Sequence, residues 1–298
     1  MAAHVDPIAW KKKVRTRRIV LGIVFGLLLI AGVTLYLLRN QIIPAWRYAR
    51  AERCLSRGDT KEAVELFSSA GTYRDANDRA AELAFTMLAD EDLRQSFLAA
   101  EPGDTVSFGS YEQDNNPANG AEPIQWIVLE KKDGRMLLWS DYVLDHQPYD
   151  EGGEDITWAD CTLRSWLNGS FYETAFNEAE QALIPTVELR NPNNSVSYTN
   201  GGKNTKDKVY ILSFSELLDL GGSNLEGLYT YPTAYAAERG VNEHAQYGTC
   251  QWWMRTPGVT QNTACYCDMT GMPLYSALVN STGIGVRPMI WVLVGSEN

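Results

Sequence analysis

The amino-acid sequence predicts an α+β protein: one apolar helix, a short all-α segment, and a larger carboxy-terminal domain of mixed strands and helices. Three observations lead there. Residues 19–38 carry no charge, and residues 45–98 space their apolar side chains at helical intervals. Beyond Pro102-Gly103, short strand-like runs alternate with turn-rich segments.

The apolar run is Ile19–Leu38, IVLGIVFGLLLIAGVTLYLL, twenty residues without Asn, Gln or Pro. At a rise of ~1.5 Å per residue, such a helix crosses a hydrocarbon core of ~30 Å. It exceeds the apolar region of a cleaved signal peptide, and the nearest A-x-A pattern, Ala49-Arg50-Ala51, lies well past its end. An uncleaved signal anchor is therefore expected. Gly22 and Gly26 form a G-x-x-x-G pattern that would let two such helices pack closely as a homodimer.

Charge orients this helix. Residues 1–18 form a basic tail with Lys11, Lys12, Lys13, Arg15, Arg17 and Arg18 against Asp6, a balance of +5. Subtracting +5 from the total of −11 leaves −16 on the remainder. Basic residues before a membrane helix hold that end in the cytoplasm. The expectation is a single-pass protein of the cell membrane, with everything after Leu38 outside. An acidic body also argues against nucleic acid as a partner.

Residues 39–44, with Pro44, read as a hinge, and 45–98 as a helical stalk. Gly58 and Gly71 end two of its helices, and Thr60 is the expected N-cap of the second. The Gly58 turn followed by Ala63-x-x-x-Phe67 resembles part of a tetratricopeptide repeat. Only about one and a half units are present, too few for that family's peptide groove.

The domain spans 99–298. TVSFGSY, QWIVLE and RMLLWSDYVL read as strands, with Asp133-Gly134 as a hairpin turn. Thr157-x-x-Asp160 and Ser170-x-x-Glu173 match capping boxes before two helices divided at Asn168-Gly169. VYILS is a strand, and FSELLDL and YPTAYAAERG are short helices. QWWMRT, ACYCDM, YSALVN and VRPMIWVLV close the domain as strands. With 9 Trp, 15 Tyr and 8 Phe, there is ample side-chain volume for a packed core.

The ordered set GSYEQ (109–113), EPIQWIVL (122–129), LRSWLNGSF (163–171), WWMRTPG (252–258) and GVRP (285–288) resembles a bacterial surface domain of unknown function. More distantly it is similar to the C-type-lectin-like group, which includes formylglycine-generating-enzyme-like proteins. The resemblance implies a C-type-lectin-like fold with a long ligand-facing loop region, and it brings no activity with it.

On strand alternation, Trp252 and Met254 face one side, and Trp253 and Arg255 the other. Trp253, Arg255 and Arg287 either fill the core and brace turns, or stack on and hydrogen-bond a ligand. The run 258–284, between the two closing motifs, is rich in Asn, Thr, Tyr and Ser, a composition that suits adaptable binding. Asn262, Tyr266, Asp268 and Tyr275 complete the candidate set. The expected ligand is an extracellular glycan, peptide, protein or cell-wall component, bound without catalysis. An enzyme of the formylglycine-generating or hydrolytic kind is the alternative, and a structural module the third reading.

No cofactor is expected. Copper would need Cys250, Cys265 and Cys267, whose spacing departs from the family's site. Calcium would need the acidic segment 141–155, which lacks EF-hand spacing. Five cysteines, including Cys54 and Cys161, leave at least one thiol unpaired within the chain. Cys265 and Cys267 are not expected to pair with each other.

Overall fold

The structure is a computed structural model that describes residues 7–88, 91–221 and 228–295, with side chains from Val20 onward. Met1–Asp6 and the basic side chains of the expected tail lie outside the described residues.

In chain order the amino-terminal helices are α1 (Pro7–Leu37), a π turn (Leu38–Ile42), α2 (Ile43–Leu55), α3 (Thr60–Ala70), α4 (Ala76–Leu88) and α5 (Glu91–Ala99). The domain continues with β1 (Thr105–Tyr111), β2 (Glu122–Lys132), β3 (Arg135–Ser140), β4 (Asp145–His146), α6 (Thr162–Trp166), α7 (Tyr172–Ala175) and α8 (Glu178–Leu183). Next come β5 (Val187–Leu189), β6 (Thr205–Asp207), β7 (Val209–Ile211), α9 (Phe214–Asp219) and α10 (Ala234–Glu238). The chain closes with β8 (Trp252–Pro257), β9 (Thr263–Cys267), β10 (Pro273–Leu278), β11 (Gly285–Val286) and β12 (Pro288–Leu293).

The chain is α+β, with an apolar amino-terminal helix long enough to cross a membrane. Its side chains beyond Val20 are almost all exposed, as they must be to meet lipid. Gly26 of the G-x-x-x-G pattern has open space around it.

The expected hinge at 39–44 is not a break. Backbone conformation stays helical through the π turn into α2, and Pro44 sits in the first turn of α2, where its missing N–H costs nothing. The apolar run and α2 are one continuous rod.

The helical segment is likewise no free stalk. An aromatic relay runs from it into the domain: Phe85 meets Phe97 (6.4 Å), Phe97 meets Phe108 of β1 (5.4 Å), and Phe108 meets Phe176 (5.4 Å). Each fully buried phenylalanine is worth roughly 1.5–3 kcal/mol, enough to seat the helices firmly. Polar ties add direction. Asn77 donates to the Asp133 carbonyl (2.7 Å), and Arg135 donates to the Ser68 carbonyl (2.8 Å).

Helix starts follow capping chemistry, although not always at the expected residue. Asp59, not Thr60, caps α3 by accepting from Glu62 N–H. Cys161 caps α6, while Asn177 with Glu180 and Ser213 with Glu216 form the capping boxes of α8 and α9. Asn168-Gly169 does not divide two helices. It lies inside a π turn (Leu167–Phe171), where Asn168 donates to the Val209 carbonyl and accepts from Lys208 N–H.

Two five-stranded sheets form the core. The first runs β1-β2-β3-β12-β7 and the second β10-β9-β8-β11-β4. Asp133-Gly134 makes the β2–β3 turn with both residues at positive φ, as a type I′ hairpin requires. The chain passes between the sheets most directly from β11 to β12. Gly285–Val286 belongs to the second sheet, Pro288–Leu293 to the first, and Arg287 stands between them. Any Cβ at Gly285 would lie 2.2 Å from Val143, so only glycine passes there. The β5–β6 hairpin stands apart as a small two-stranded sheet.

Candidate functional site

The residues singled out from the closing motifs fall into two groups. Trp253, Arg255 and Arg287 are buried (0%, 2% and 0% exposed) and do not offer a ligand surface. Strand alternation explains where each goes. Trp252 points toward the first sheet and meets Trp139 edge-on (5.3 Å). Trp253 points the other way, against Tyr149 (5.7 Å), and its indole N–H donates to the Gln147 carbonyl (3.0 Å).

Arg255 braces the interior. Its guanidinium binds both carboxylate oxygens of Glu216 at 2.8 Å, and also donates to Asn191 Oδ1 and the Ile211 carbonyl. Burial pushes the Glu216 carboxyl up, but Arg255 and Ser213 outweigh it and hold the group below its ordinary value. Arg287 lies flat on Trp139, its guanidinium carbon 3.5 Å from the ring centroid, and Nε donates to the Ser140 carbonyl (2.8 Å). Burial pulls its pKa down to about 9, so it stays charged at neutral pH.

The remaining candidates are spread along the second sheet, not gathered. Asn262 sits in the turn before β9, where its carbonyl accepts from Val279 N–H. Tyr275 packs against Phe214 (5.3 Å). Tyr266 is half-buried on β9, opposite Trp253. Asp268 holds the turn beyond β9 by accepting from Thr270 and Met272 N–H. Asn262 and Asp268 thus mark opposite ends of β9.

At the Asp268 end the structure assembles a surface that strand-by-strand reading misses. Tyr229, Tyr231, Tyr247 and Met272 are 60%, 47%, 63% and 60% exposed, with Tyr142 beside them. Their backbones are tied together. Tyr231 O accepts from Val143 N–H, Thr230 O from Cys250 N–H, and the Thr249 hydroxyl donates to Met269 O. Thr230 is buried between Tyr229 and Tyr231, so both rings flank it on the outside. The Tyr231 ring lies over Gly248, and Tyr247 stacks on His244 (4.7 Å, 29°). Asp141, Glu243 and Asp268 belong to the same segments, and no Lys or Arg occurs in 141–142, 229–231, 243–248 or 268–272. The alternation Tyr229-Thr230-Tyr231 was the available signal, hidden because Tyr231 also opens YPTAYAAERG, which reads as a short helix.

The metal expectations find other uses for their donors. In the acidic segment, Asp145 is buried and takes hydrogen bonds from Tyr111 and Arg239. Asp150 accepts from Gly152 and Thr162 N–H. The carboxylates that do lie close together are Glu112, Asp114 and Glu122, and each already accepts from a backbone N–H of its own loop. Cys161, Cys250, Cys265 and Cys267 are buried free thiols, each pushed up to about 12 by burial. Thiols held protonated at neutral pH are poor nucleophiles.

An open groove of about 830 Å³ lies between α5, β1 and α8, with Asp92, Asp104 and Glu180 in its wall. None of the expected site residues lines it.

Neither the curated proteins nor the solved structures include a match to this chain. A family match covers residues 133–294, from the β2–β3 turn to the end of β12, and so takes in both sheets except β1 and β2. The chain belongs to the family described as Domain of unknown function (DUF6273).

Proposed function

We propose that this protein is a cell-surface recognition module. α1 anchors it as a single-pass segment with the amino terminus in the cytoplasm, and the domain outside binds a glycan without catalysis. The exposed tyrosine surface carries this reading. Rigid aromatic rings give large contact area at low conformational-entropy cost, and their hydroxyls add hydrogen bonds. Burial of the candidate thiols and of Arg255 supports a non-catalytic role. Short helices, two five-stranded sheets and long loops support the C-type-lectin-like assignment.

The test is a glycan array with full-length protein in detergent micelles. Binding is expected, and Tyr229→Ala with Tyr231→Ala should abolish it without changing the melting temperature. Binding that survives both substitutions would move the site elsewhere, and failure to retain any glycan would refute this ligand class. Protease digestion of the domain in intact cells checks the orientation. Complete protection there would reverse it.

A further inference from the structure

The chain between β5 and β6 sits where the membrane helix leaves the apolar run, and its composition differs from the rest of the domain. Arg39, the first residue after Leu38, pairs with Glu188 of β5 at 3.2 Å. Arg50, ~16 Å further along the same rod, lines a cavity with Ile184, Pro185 and Thr186. The chain from Pro185 to Glu188 therefore descends the rod toward the apolar run, and β5 continues that way to Leu189. Residues 190–204 follow and are tied to the end of β8, where Arg255 donates to the Arg190 carbonyl and Asn191 Oδ1.

This loop is fixed, not loose. Asn194 is buried, donates to the Pro257 carbonyl (2.8 Å), and accepts from Val196 and Ser197 N–H. Tyr198 is held at φ 59° and bonded back to Asn194, a left-handed conformation that costs free energy for a tyrosine. What this geometry holds outward is apolar. Val196 is 64% and Tyr198 79% exposed, with exposed Val259 on the neighbouring turn. Arg190, Lys203 and Lys206, in the same hairpin and loop, are exposed. The acidic residues of the hairpin are engaged, Glu188 with Arg39 and the buried Asp207 with Arg164.

We propose that residues 190–206 seat on the lipid surface of the membrane that α1 spans, with Val196 and Tyr198 in the interfacial layer and the basic residues on anionic headgroups. The inference rests on α1 being a membrane span. Tyrosine suits the interface because its ring is apolar and its hydroxyl is wet. Lys and Arg near an anionic leaflet are attracted to it within a Debye length. The tyrosine surface lies at the opposite end of β8 and β9 from this loop.

The test uses full-length protein in nanodiscs of phosphatidylcholine with phosphatidylglycerol. An environment-sensitive dye is attached to Tyr198→Cys, to Val196→Cys, to Tyr229→Cys as the distal control, and to Leu29→Cys in the apolar run. The native thiols are buried and should not compete for the dye. Lipid-borne quenchers should quench the dye at positions 198 and 196 and not at 229, while aqueous iodide should show the reverse. Adding Lys203→Glu and Lys206→Glu, or omitting phosphatidylglycerol, should lose the lipid quenching at 198. Iodide quenching at 198 and 196 equal to that at 229 would overturn the proposal. If the dye at position 29 also escapes a deep lipid quencher, the spanning assignment itself has failed, which separates the two outcomes.

Discussion

The two ends of the second sheet are built from the same strands and carry opposite chemistry. Where β8 begins and β9 ends, Tyr229, Tyr231 and Tyr247 stand among Asp141, Glu243 and Asp268. Where β8 ends and β9 begins, Val196 and Tyr198 stand among Arg190, Lys203 and Lys206. Strands of five or six residues hold these ends roughly 15–20 Å apart. A continuous rod from the apolar run through α2 removes the freedom a hinge would give. On the placement proposed above, one end would face the lipid and the other would be left for a ligand.

What keeps the ends apart is the interior, and breaking it should have the largest effect. Arg255→Ala leaves Glu216 without its guanidinium partner and empties a buried site. A loss of about 3–5 kcal/mol is expected in chemical denaturation, with both ends failing together. A change confined to one end would show that they fold independently.

Acid should act on the same pair. The folded-state pKa of Glu216 is depressed, so its contribution is fully present above the ordinary carboxylate value of about 4.3. It is lost as pH falls through the lower folded value. Melting temperature against pH should therefore drop at the acid edge, and Glu216→Gln should flatten that drop while lowering stability at neutral pH. An unchanged acid limb in the variant would assign the drop to another carboxylate.

At the membrane-side end, Asn194→Ala removes the donor to Pro257 and the acceptor for two backbone N–H groups. A cost of about 1–3 kcal/mol is expected, together with loss of the ordered Tyr198 geometry. Lipid quenching at position 198 should weaken, and glycan binding should persist. Loss of both would mean the ends are coupled.

The smallest effect on stability belongs to the tyrosine end. Tyr229→Ala and Tyr247→Ala should each stay within about 0.5 kcal/mol of the parent in denaturation, as exposed substitutions do, while ligand retention falls. Native thiols offer a last check on rigidity. With pKa values near 12, Cys161, Cys250, Cys265 and Cys267 should resist alkylation at neutral pH and react once the chain is unfolded.

Local order was legible where chemistry acts over a few residues. The Asp133-Gly134 hairpin, the helices ending near Gly58 and Gly71, and the closing strands all follow from propensity and period. The caps were harder, because Thr60 and Asp59 are both acceptable capping residues and only backbone geometry chooses between them. The candidate site was the least legible part. Trp253 and Arg255 carry the same identity whether buried or exposed, and burial depends on Tyr149, Glu216 and Asn191, which lie 39 to 106 positions from the residue they touch. Tyr229, Tyr231 and Tyr247 become one surface only because Cys250 and Val143 hydrogen-bond the segment that carries two of them.

By itself the sequence determined that an uncharged run long enough to cross a lipid bilayer precedes an acidic α+β domain. Hydrophobicity, charge and short-range periodicity need no partner to act. Only the tertiary structure decided that the rod has no hinge, that the helices join the core, and that the two conspicuous arginines are internal braces. It also placed aromatic and basic residues at opposite ends of one sheet. Those outcomes turn on contacts between residues far apart in the chain, where burial and hydrogen-bond geometry, not residue type, choose among the alternatives.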